Sequence, residues 1–422
     1  MLDIRAIRDD PAAFQARLAA RHDGSGDLIH EVLACDETRR KAETEKQALQ
    51  SQRKQTSKEI GALRGKGEDT AHIEAEVKKI GEEIRILDER ADEAERRQTQ
   101  LLLTIPNLPH ENCPVGEDEN ANPEIRTWGT PPPLAAPRDH VALNESLGLI
   151  DFEGATRLSG SGFSVLRGRG ARLQRALIQF LLDVQTRDHG YEEVAVPHIV
   201  SRDCLVGTGQ LPKFEDDLYS TENGELFLIP TAEVPVTNLY RDTILAEEDL
   251  PIKMAGHTPC FRREAGSAGR DTKGIIRMHQ FDKVELVQIV HPDRSYEALE
   301  ELTGHAEKIL QALELHYRVI ELCTGDLGFG AAKTYDLEVW APGHGKFLEV
   351  SSCSCFTDYQ ARRMKLRFKD ADGKNRFCHT LNGSGTALPR LMVALMEQHQ
   401  QPDGSIRLPA PLVPYAGMDV IA

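Results

Sequence analysis

Between Phe261 and Glu285 the chain reads Phe-Arg-Arg-Glu-Ala-Gly-Ser-Ala-Gly-Arg-Asp-Thr-Lys-Gly-Ile-Ile-Arg-Met-His-Gln-Phe-Asp-Lys-Val-Glu. Gly266, Gly269 and Gly274 stand among charged residues that include Arg262, Arg263 and Glu264, and Arg277 follows closely. Arginine presents a planar fork that meets phosphate oxygens two at a time, and it stays protonated at any physiological pH. Two arginines flanking a glutamate therefore suit a bound nucleotide. The bare pattern also fits a surface hairpin whose charges pair with one another.

The elements that must position these charges are legible around them. Ile252–Phe261 and Met278–Val290 are β-prone and apolar-alternating, so strand, charged glycine-rich loop and strand form a hairpin, with Arg262, Glu264, Arg277 and Glu285 projecting from the paired strands. Phe227-Leu-Ile-Pro reads as a strand running into Thr231-Ala232-Glu233, where a helix starts; an isolated Thr-x-Glu is a common helix cap. Lys346-Phe-Leu-Glu349-Val350-Ser351-Ser352-Cys353-Ser354 is a strand ending in small hydroxyl residues, which taken alone is ordinary sheet. His379 to Glu397 reads as a strand, a glycine turn around Gly383 to Gly385, and an amphipathic helix with Pro389 and Arg390 in its first turn. Ala171–Arg187 has helical periodicity, Gly190 stops it, and Tyr191–Val200 is a strand interrupted by Pro197, which places it at an edge or an interface.

From Leu28 to Leu103 there is no proline and no Phe, Tyr or Trp, and two long helices result, reversing at Gly65-Lys66-Gly67. In the second, Ile73, Val77, Ile80, Ile84, Leu87, Ala91 and Ala94 repeat in alternating steps of four and three, as in a coiled-coil seam. The first offers Ala42, Lys46, Leu49, Arg53, Thr56, Ile60 and Leu63, a seam only half apolar. Its basic residues, among them Arg39, Arg40, Lys46, Arg53, Lys54 and Lys58, outnumber its acids, whereas the second helix is mainly acidic. That split serves attraction between the helices, and it also offers a basic strip to an RNA backbone. Residues 106–137 are rich in proline, glycine and acid and read as an extended connector.

Composition narrows the class. The chain has 422 residues, 40% of them hydrophobic, enough for one large domain and a smaller one. Charges interrupt the N-terminus where a signal peptide needs an apolar core, and no apolar run is long enough to cross a bilayer, so a soluble cytoplasmic protein without a membrane partner is expected. Eight cysteines lack paired Cys-x-x-Cys spacing, as in a reducing compartment. A net charge of −16 argues against indiscriminate nucleic-acid binding but allows a local basic surface. No Gly-x-Gly-x-x-Gly follows a strand and no Gly-x-x-x-x-Gly-Lys-[Ser/Thr] occurs, which argues against Rossmann and P-loop nucleotide sites.

The run Phe-Arg-x-Glu-Ala-Gly-x-Ala-Gly-Arg-Asp-Thr-x-Gly, followed by Arg277-Met278-His279-Gln280-Phe281, closely resembles motif 2 of the seryl-tRNA synthetases, a class II aminoacyl-tRNA synthetase family. The helix, strand and proline of 171–200 look like motif 1, and Leu-Asn382-Gly-Ser384-Gly with Arg390 matches motif 3. The resemblance covers essentially the whole chain. It implies an α+β protein: an N-terminal antiparallel two-helix coiled-coil arm within residues 1–105, the connector 106–137, and a class II core of antiparallel sheet flanked by helices at 138–422.

The resemblance further implies ATP and Mg2+ as cofactors, L-serine, tRNA(Ser) and tRNA(Sec) as substrates, and a homodimer built through motif 1. Residue by residue, it carries Arg262 and Arg390 over as catalytic, and Thr231, Ala232, Glu233, Arg262, Glu285 and Ser384 as serine contacts. Arg262, Arg263, Glu264, Arg277, Phe281, Glu349, Val350, Ser351, Ser352 and Arg390 become the ATP site, with Glu349 and Ser352 as metal ligands. The arm's basic residues become contacts to the long variable arm of tRNA, and residues 265–276 of the hairpin loop guide its acceptor end. Departures are few: Cys355 replaces the usual asparagine after Ser-Ser-Cys-Ser, leaving the hydrogen bonding of that turn open, and Thr386, Leu388 and Pro389 differ from the commonest residues at positions not expected to touch ligand.

Two other classes share this pattern. A carrier-protein ligase that forms seryl-adenylate is expected to lack the long arm, which this chain has. An inactive RNA-binding paralogue is expected to have lost Arg262, Glu264, Glu349 or Arg390, and all four are present. The activity expected is that of an ATP-dependent serine–tRNA ligase.

Overall fold

The structure is a computed structural model describing residues 1–265 and 273–422. Gly266, Gly269 and most of the loop assigned to the acceptor end lie outside the described residues. The chain folds as two compact units, one of residues 2–19 with 23–106, the other of 107–422 with Met1 and residues 20–22.

In the first unit, α1 (Leu28–Gly65) and α2 (Ala71–Thr104) run antiparallel, as the proline-free, charge-rich composition predicts. The reversal falls after Gly65, where Gly67 takes a φ of +78° that glycine adopts without a Cβ clash. Ile73, Ile80, Ala91 and Ala94 of the expected seam are buried, and Val77, Ile84 and Leu87 are half-buried. On α1, Ala42 is buried, Lys46, Leu49, Thr56, Ile60 and Leu63 are half-buried, and Arg53 is exposed, its guanidinium crossing over Gly81. Polar bonds supplement this thin apolar contact: Gln98 Nε2 donates to the Val32 carbonyl at 3.3 Å. Among the described residues no helix is long and apolar enough to cross a membrane.

The second unit is built on an eight-stranded sheet. In chain order its strands are β1 (Glu124–Trp128), β2 (Glu192–Glu193), β3 (Ile252–Phe261), β4 (Gln280–Val290), β5 (Tyr317–Glu321), β6 (Lys333–Ala341), β7 (Lys346–Cys355) and β8 (His379–Ala387), arranged β1-β5-β6-β7-β8-β4-β3-β2. All neighbours are antiparallel except β2 with β3. The charged hairpin is β3 with β4, in continuous register from Phe261↔Gln280 to Ile252↔Ile289. Arg262 continues the ladder through its N–H to the His279 carbonyl at 2.8 Å. Of the four charges expected on paired strands, however, only Glu285 is on one; Arg262, Glu264 and Arg277 lie just beyond the strand ends. The pairing stops there because Arg263 N–H turns to the Asp217 carbonyl and Glu264 adopts a φ of +50°.

Three amphipathic helices cover the sheet: α4 (Arg169–Arg187), α6 (Ser295–Ala312) and α7 (Leu388–Gln398). Leu173, Leu177, Leu302, Leu310, Leu391 and Leu395 join Leu286 and Leu337 of the sheet in one core, each burial stabilising by roughly 1.5–3 kcal/mol. Two smaller helices, α3 (His140–Leu147) and α5 (Glu233–Asn238), complete the surroundings of the site.

Three segments depart from the sequence reading. The segment 106–137 does more than connect: β1 within it is the sheet's edge strand, paired with β5 from Glu124↔Ile320 to Trp128↔Tyr317. The expected glycine turn before α7 is absent, since β8 continues through Gly383 and Gly385 into the helix, with only a bulge at Gly385 where its register against β4 shifts. The glycines serve close packing instead: a Cβ at Gly383 would stand 2.2 Å from Leu302 Cδ2 and 2.9 Å from Cys353 Sγ. No turn forms at Cys355 either, which ends β7 with its carbonyl accepting from Ala332 N–H at 2.8 Å while burial pushes its thiol up to about 11.

Candidate active site

One cleft of about 500 Å³ opens over the middle of the sheet. Its floor comes from β4, β7 and β8, and its rim from the chain beyond β3, from Gly328–Ala331 and from the first turn of α7. It gathers Thr231, Glu233, Arg262, Glu264, Arg277 and Phe281, together with Glu285, Glu349, Val350, Ser352, Ser384 and Arg390. Residues up to 159 positions apart in sequence thus converge because adjacent antiparallel strands bring their ends together.

At one end stands a small polar pocket. Thr231 precedes α5, its hydroxyl accepting from Glu233 N–H at 3.2 Å and from Lys283 Nζ at 2.9 Å. Lys283 also pairs with buried Glu285, N to O 2.5 Å, two residues along the same strand face. Glu233 accepts from Gln360 Nε2 at 2.7 Å, and Thr380 Oγ1 donates to Gln360 Oε1 at 2.7 Å, which fixes the orientation of that amide. Burial first, and the neighbouring Glu285 second, push the Glu233 carboxyl up to about 7. Ser384, on β8 opposite Glu285, completes this end.

At the other end the groups are cationic and more open. The Arg262 guanidinium lies 5.1 Å from the Phe281 ring centroid, and its Nε donates to the Pro230 carbonyl at 3.3 Å. Arg277 pairs with Glu264, whose left-handed backbone is sustained by Ala265 N–H donating to Asp217 Oδ1 at 2.9 Å. Arg390 donates from Nε to the Ile276 carbonyl at 3.1 Å and from a terminal nitrogen to the Glu349 carbonyl at 2.8 Å.

Glu349 exposes its carboxylate to the cleft, and Ser352 lies three residues on along β7. Behind them Asp336 on β6 pairs in register with Ser352. Its Oδ1 is shut off from solvent without a hydrogen-bond partner among the described residues. Burial, with Glu349 second, holds the Asp336 carboxyl well above the usual carboxylate range. A carboxylate, a hydroxyl and a second acid offer only oxygen atoms, the donor set of a hard divalent cation.

Some sequence-derived site residues are elsewhere. Ala232 is fully buried and Arg263 is exposed, neither of them lining the cleft. Ser351 points away from it, its hydroxyl donating to the Ser384 carbonyl at 2.6 Å, as strand alternation requires for the neighbour of Ser352. Pro389, read as remote from ligand, lines the cleft. In the arm, Lys46 is engaged by Glu43 at 2.8 Å and Asp88 at 2.9 Å, and Arg39 and Arg40 approach Asp36 at 3.3 and 3.8 Å. Arg53, Lys54 and Lys58 form no ion pair among the described residues. Sequence reasoning missed Lys283, Gln360, Asn382 and Asp336. Lys283 had a signal in its i, i+2 spacing from Glu285, and Asp336 in being an acid among alternating apolar residues; Gln360 had none.

This largely antiparallel core, with cleft-lining arginines between the strands of one hairpin and at the start of α7, is that of a class II aminoacyl-tRNA synthetase, and residues 213–399 match the tRNA synthetase class II core domain (G, H, P, S and T). Residues 1–109 match the seryl-tRNA synthetase N-terminal domain. A serine–tRNA ligase of Akkermansia muciniphila is 68% identical over 421 residues, covering 100% of this chain and 99% of its own. The crystal structure of seryl-tRNA synthetase from Pyrococcus horikoshii complexed with ATP superposes with a TM-score of 0.96 at 40% identity, covering 100% of this chain and 99% of that one. That of the cytoplasmic serine–tRNA ligase from Naegleria fowleri in complex with AMP gives 0.90 at 29%, covering 100% and 98%. The chain belongs to the seryl-tRNA synthetase family of ATP-dependent aminoacyl-tRNA ligases.

Proposed function

We infer that this chain activates L-serine with ATP and transfers it to the 3′ end of tRNA(Ser). The observation that carries the reading is the convergence of Arg262, Glu349 and Arg390 on one cleft beside Thr231 and Glu285. The serine carboxylate is ionised at neutral pH, so its attack on the α-phosphorus needs no general base; alignment and charge neutralisation carry the step. Arg262 steadies the α-phosphate, Arg390 and Arg277 the rest of ATP, and Glu264 its adenine or ribose. A bond forms from the carboxylate oxygen to phosphorus as the bond to pyrophosphate breaks. A ribose hydroxyl of the terminal nucleotide then attacks the acyl carbon and AMP leaves.

Glu349 and Ser352 would hold magnesium, which when bound supplies charge neutralisation at the phosphates. The serine ammonium and hydroxyl are received by Thr231, Glu233, Glu285 and Ser384. The arm offers Arg53, Lys54 and Lys58 to tRNA, tRNA(Sec) included. Ile199 and Leu226, half-exposed on the motif 1 side, support a homodimer, and the compartment is the cytoplasm.

Serine-dependent exchange of pyrophosphate into ATP tests the first step, and charging of tRNA(Ser) the second. No exchange would sink the reading; exchange without charging would point to a carrier-protein ligase. Alanine lacks the hydroxyl that this polar pocket is built around, and its kcat/KM in exchange is expected to be lower by about 10⁴. Glu233 supplies a pH dependence. Its folded-state value is raised, so the proton is held up to about pH 7, and the stability this proton contributes is lost as pH rises from the unfolded carboxylate range through that value. The ionised form is the partner an ammonium needs. KM for serine is therefore expected to fall about tenfold between pH 6 and 8, and Glu233→Gln to abolish that dependence while raising the melting temperature at pH 8 by roughly 2–4 °C. A flat KM profile in the wild type would refute the assignment.

A further inference from the structure

Behind the cleft-lining Ile275 lies a cluster of two histidines and a glutamate that the reaction above does not use. His140, at the start of α3, and Glu397, near the end of α7, have fully buried side chains, and His344 sits in the turn between β6 and β7. Glu397 Oε1 accepts from His140 N–H at 3.0 Å and lies 3.3 Å from His140 Nδ1 and 2.8 Å from His344 Nδ1, while Oε2 accepts from Gly343 N–H at 2.9 Å. On its far side, His140 Nε2 receives the N–H of Ile275 at 3.2 Å. A backbone N–H can only donate, so Nε2 is the bare nitrogen and the proton sits on Nδ1, facing Glu397.

Two histidines and a carboxylate with ligand atoms within 4.8 Å of one another also resemble a metal site. A metal on His140 Nδ1 would push the ring proton to Nε2, directly against Ile275 N–H. The carboxylate, moreover, is already satisfied by backbone and imidazole donors. The cluster is better read as a mooring.

What it moors is the returning end of the charged loop. Gly274, with a φ of +63°, lies so close to the imidazole that a Cβ there would stand 1.9 Å from Nε2. Lys273 pairs with Asp139, the N-cap of α3, immediately before His140. One residue further, the Ile276 carbonyl accepts from Arg390 Nε at 3.1 Å, and Arg277 follows it into the cleft.

We propose that His140 and Glu397 are positioning residues for the nucleotide end of the site, fixing Gly274–Arg277 so that Arg277 and Arg390 stand where the phosphates and base must lie. The proposal rests on the nucleotide reading given above. The amino-acid end is held separately by Lys283 and Gln360, so the mooring acts on ATP and leaves serine alone.

Asparagine and glutamine separate the two halves of this role. His140→Asn keeps a donor near the Nδ1 position toward Glu397 but leaves Ile275 N–H unmet; His140→Gln places an acceptor near the Nε2 position. Titration calorimetry with ATP and serine-dependent pyrophosphate exchange are the readouts. His140→Asn is expected to weaken ATP binding and raise KM for ATP about tenfold, with KM for serine within roughly twofold of the wild type. His140→Gln should recover most of that loss. Unchanged ATP affinity in His140→Asn, equal loss in both variants, or a parallel rise in KM for serine would each overturn the proposal, the last two being signs of general core damage. So would one zinc per chain in the purified protein. Should His140→Asn fail to fold, the surface variant Lys273→Ala is expected to weaken ATP binding roughly threefold at an unchanged melting temperature, and no weakening would overturn the mooring. A wild-type chain that binds ATP without serine-dependent exchange would refute the proposed function and still leave the mooring to be judged on ATP affinity.

Discussion

Arg262→Ala is expected to lower kcat/KM for serine-dependent pyrophosphate exchange by about 10³-fold while shifting the melting temperature by no more than roughly 2 °C. The asymmetry follows from where the side chain is. Its described contacts are one 3.3 Å bond to the Pro230 carbonyl and the face of Phe281, both at the cleft wall, so the fold loses little without it. Catalysis loses much more, because in the proposed reaction this planar cation stands next to the α-phosphate and meets charge that grows as the fifth oxygen approaches. Arg262→Lys should regain only part of the loss, since an ammonium supplies charge without the two-pronged geometry. A drop of less than tenfold in the alanine variant would remove Arg262 from the role.

Excising residues 40–96 and joining 39 to 97 through a short glycine-rich linker should leave exchange within about twofold and reduce charging of tRNA(Ser) at least about 10³-fold. The cut is structurally mild. Arg97 stands opposite Glu31 at 3.1 Å, about two helical turns from residue 39, a gap the linker spans, and the Gln98–Val32 and Arg8–Asp36 contacts at the base remain. The excised stretch carries Lys46, Arg53, Lys54 and Lys58 and none of the cleft residues. Charging at the wild-type rate would show that the arm does not hold RNA. Rising salt should weaken tRNA binding in the intact chain far more than in the shortened one.

Within the arm, the basic residues are not equivalent. Lys46 sits in the seam and its partners raise its proton affinity, Glu43 first and Asp88 second, so it is committed to joining the helices. Periodicity places Lys46 and Arg53 alike on the seam, yet the second escapes it because Gly81 lies opposite and leaves room for the guanidinium to pass outward. No pattern within one helix reveals what faces it on the other.

The same limit governs the core. Hairpin, arm, and the strands and helix turns bearing Thr231, Glu285, Glu349 and Arg390 were readable because alternation, helical period and residue type are local properties. Ser351, Arg263 and Ala232 fall outside the cleft lining because a motif names a run of residues, whereas a strand or turn sends successive side chains to opposite sides. The role of Gly383 was misread for another reason: a glycine in sequence signals freedom to turn, and only Leu302, 81 residues away, makes it a requirement for space.

By itself the sequence determined the class of chemistry, the two-helix arm and the strands that carry the reacting groups, since these depend on side-chain type and on periods of two and 3.6 residues. The tertiary structure alone decided which groups share a cleft, the raised proton affinity of Glu233 beside Glu285, and the mooring of Ile275 on His140 and Glu397. Proximity between residues more than a hundred positions apart is set by strand order and helix packing, and burial acts on a carboxylate or an imidazole only once the chain has closed around it.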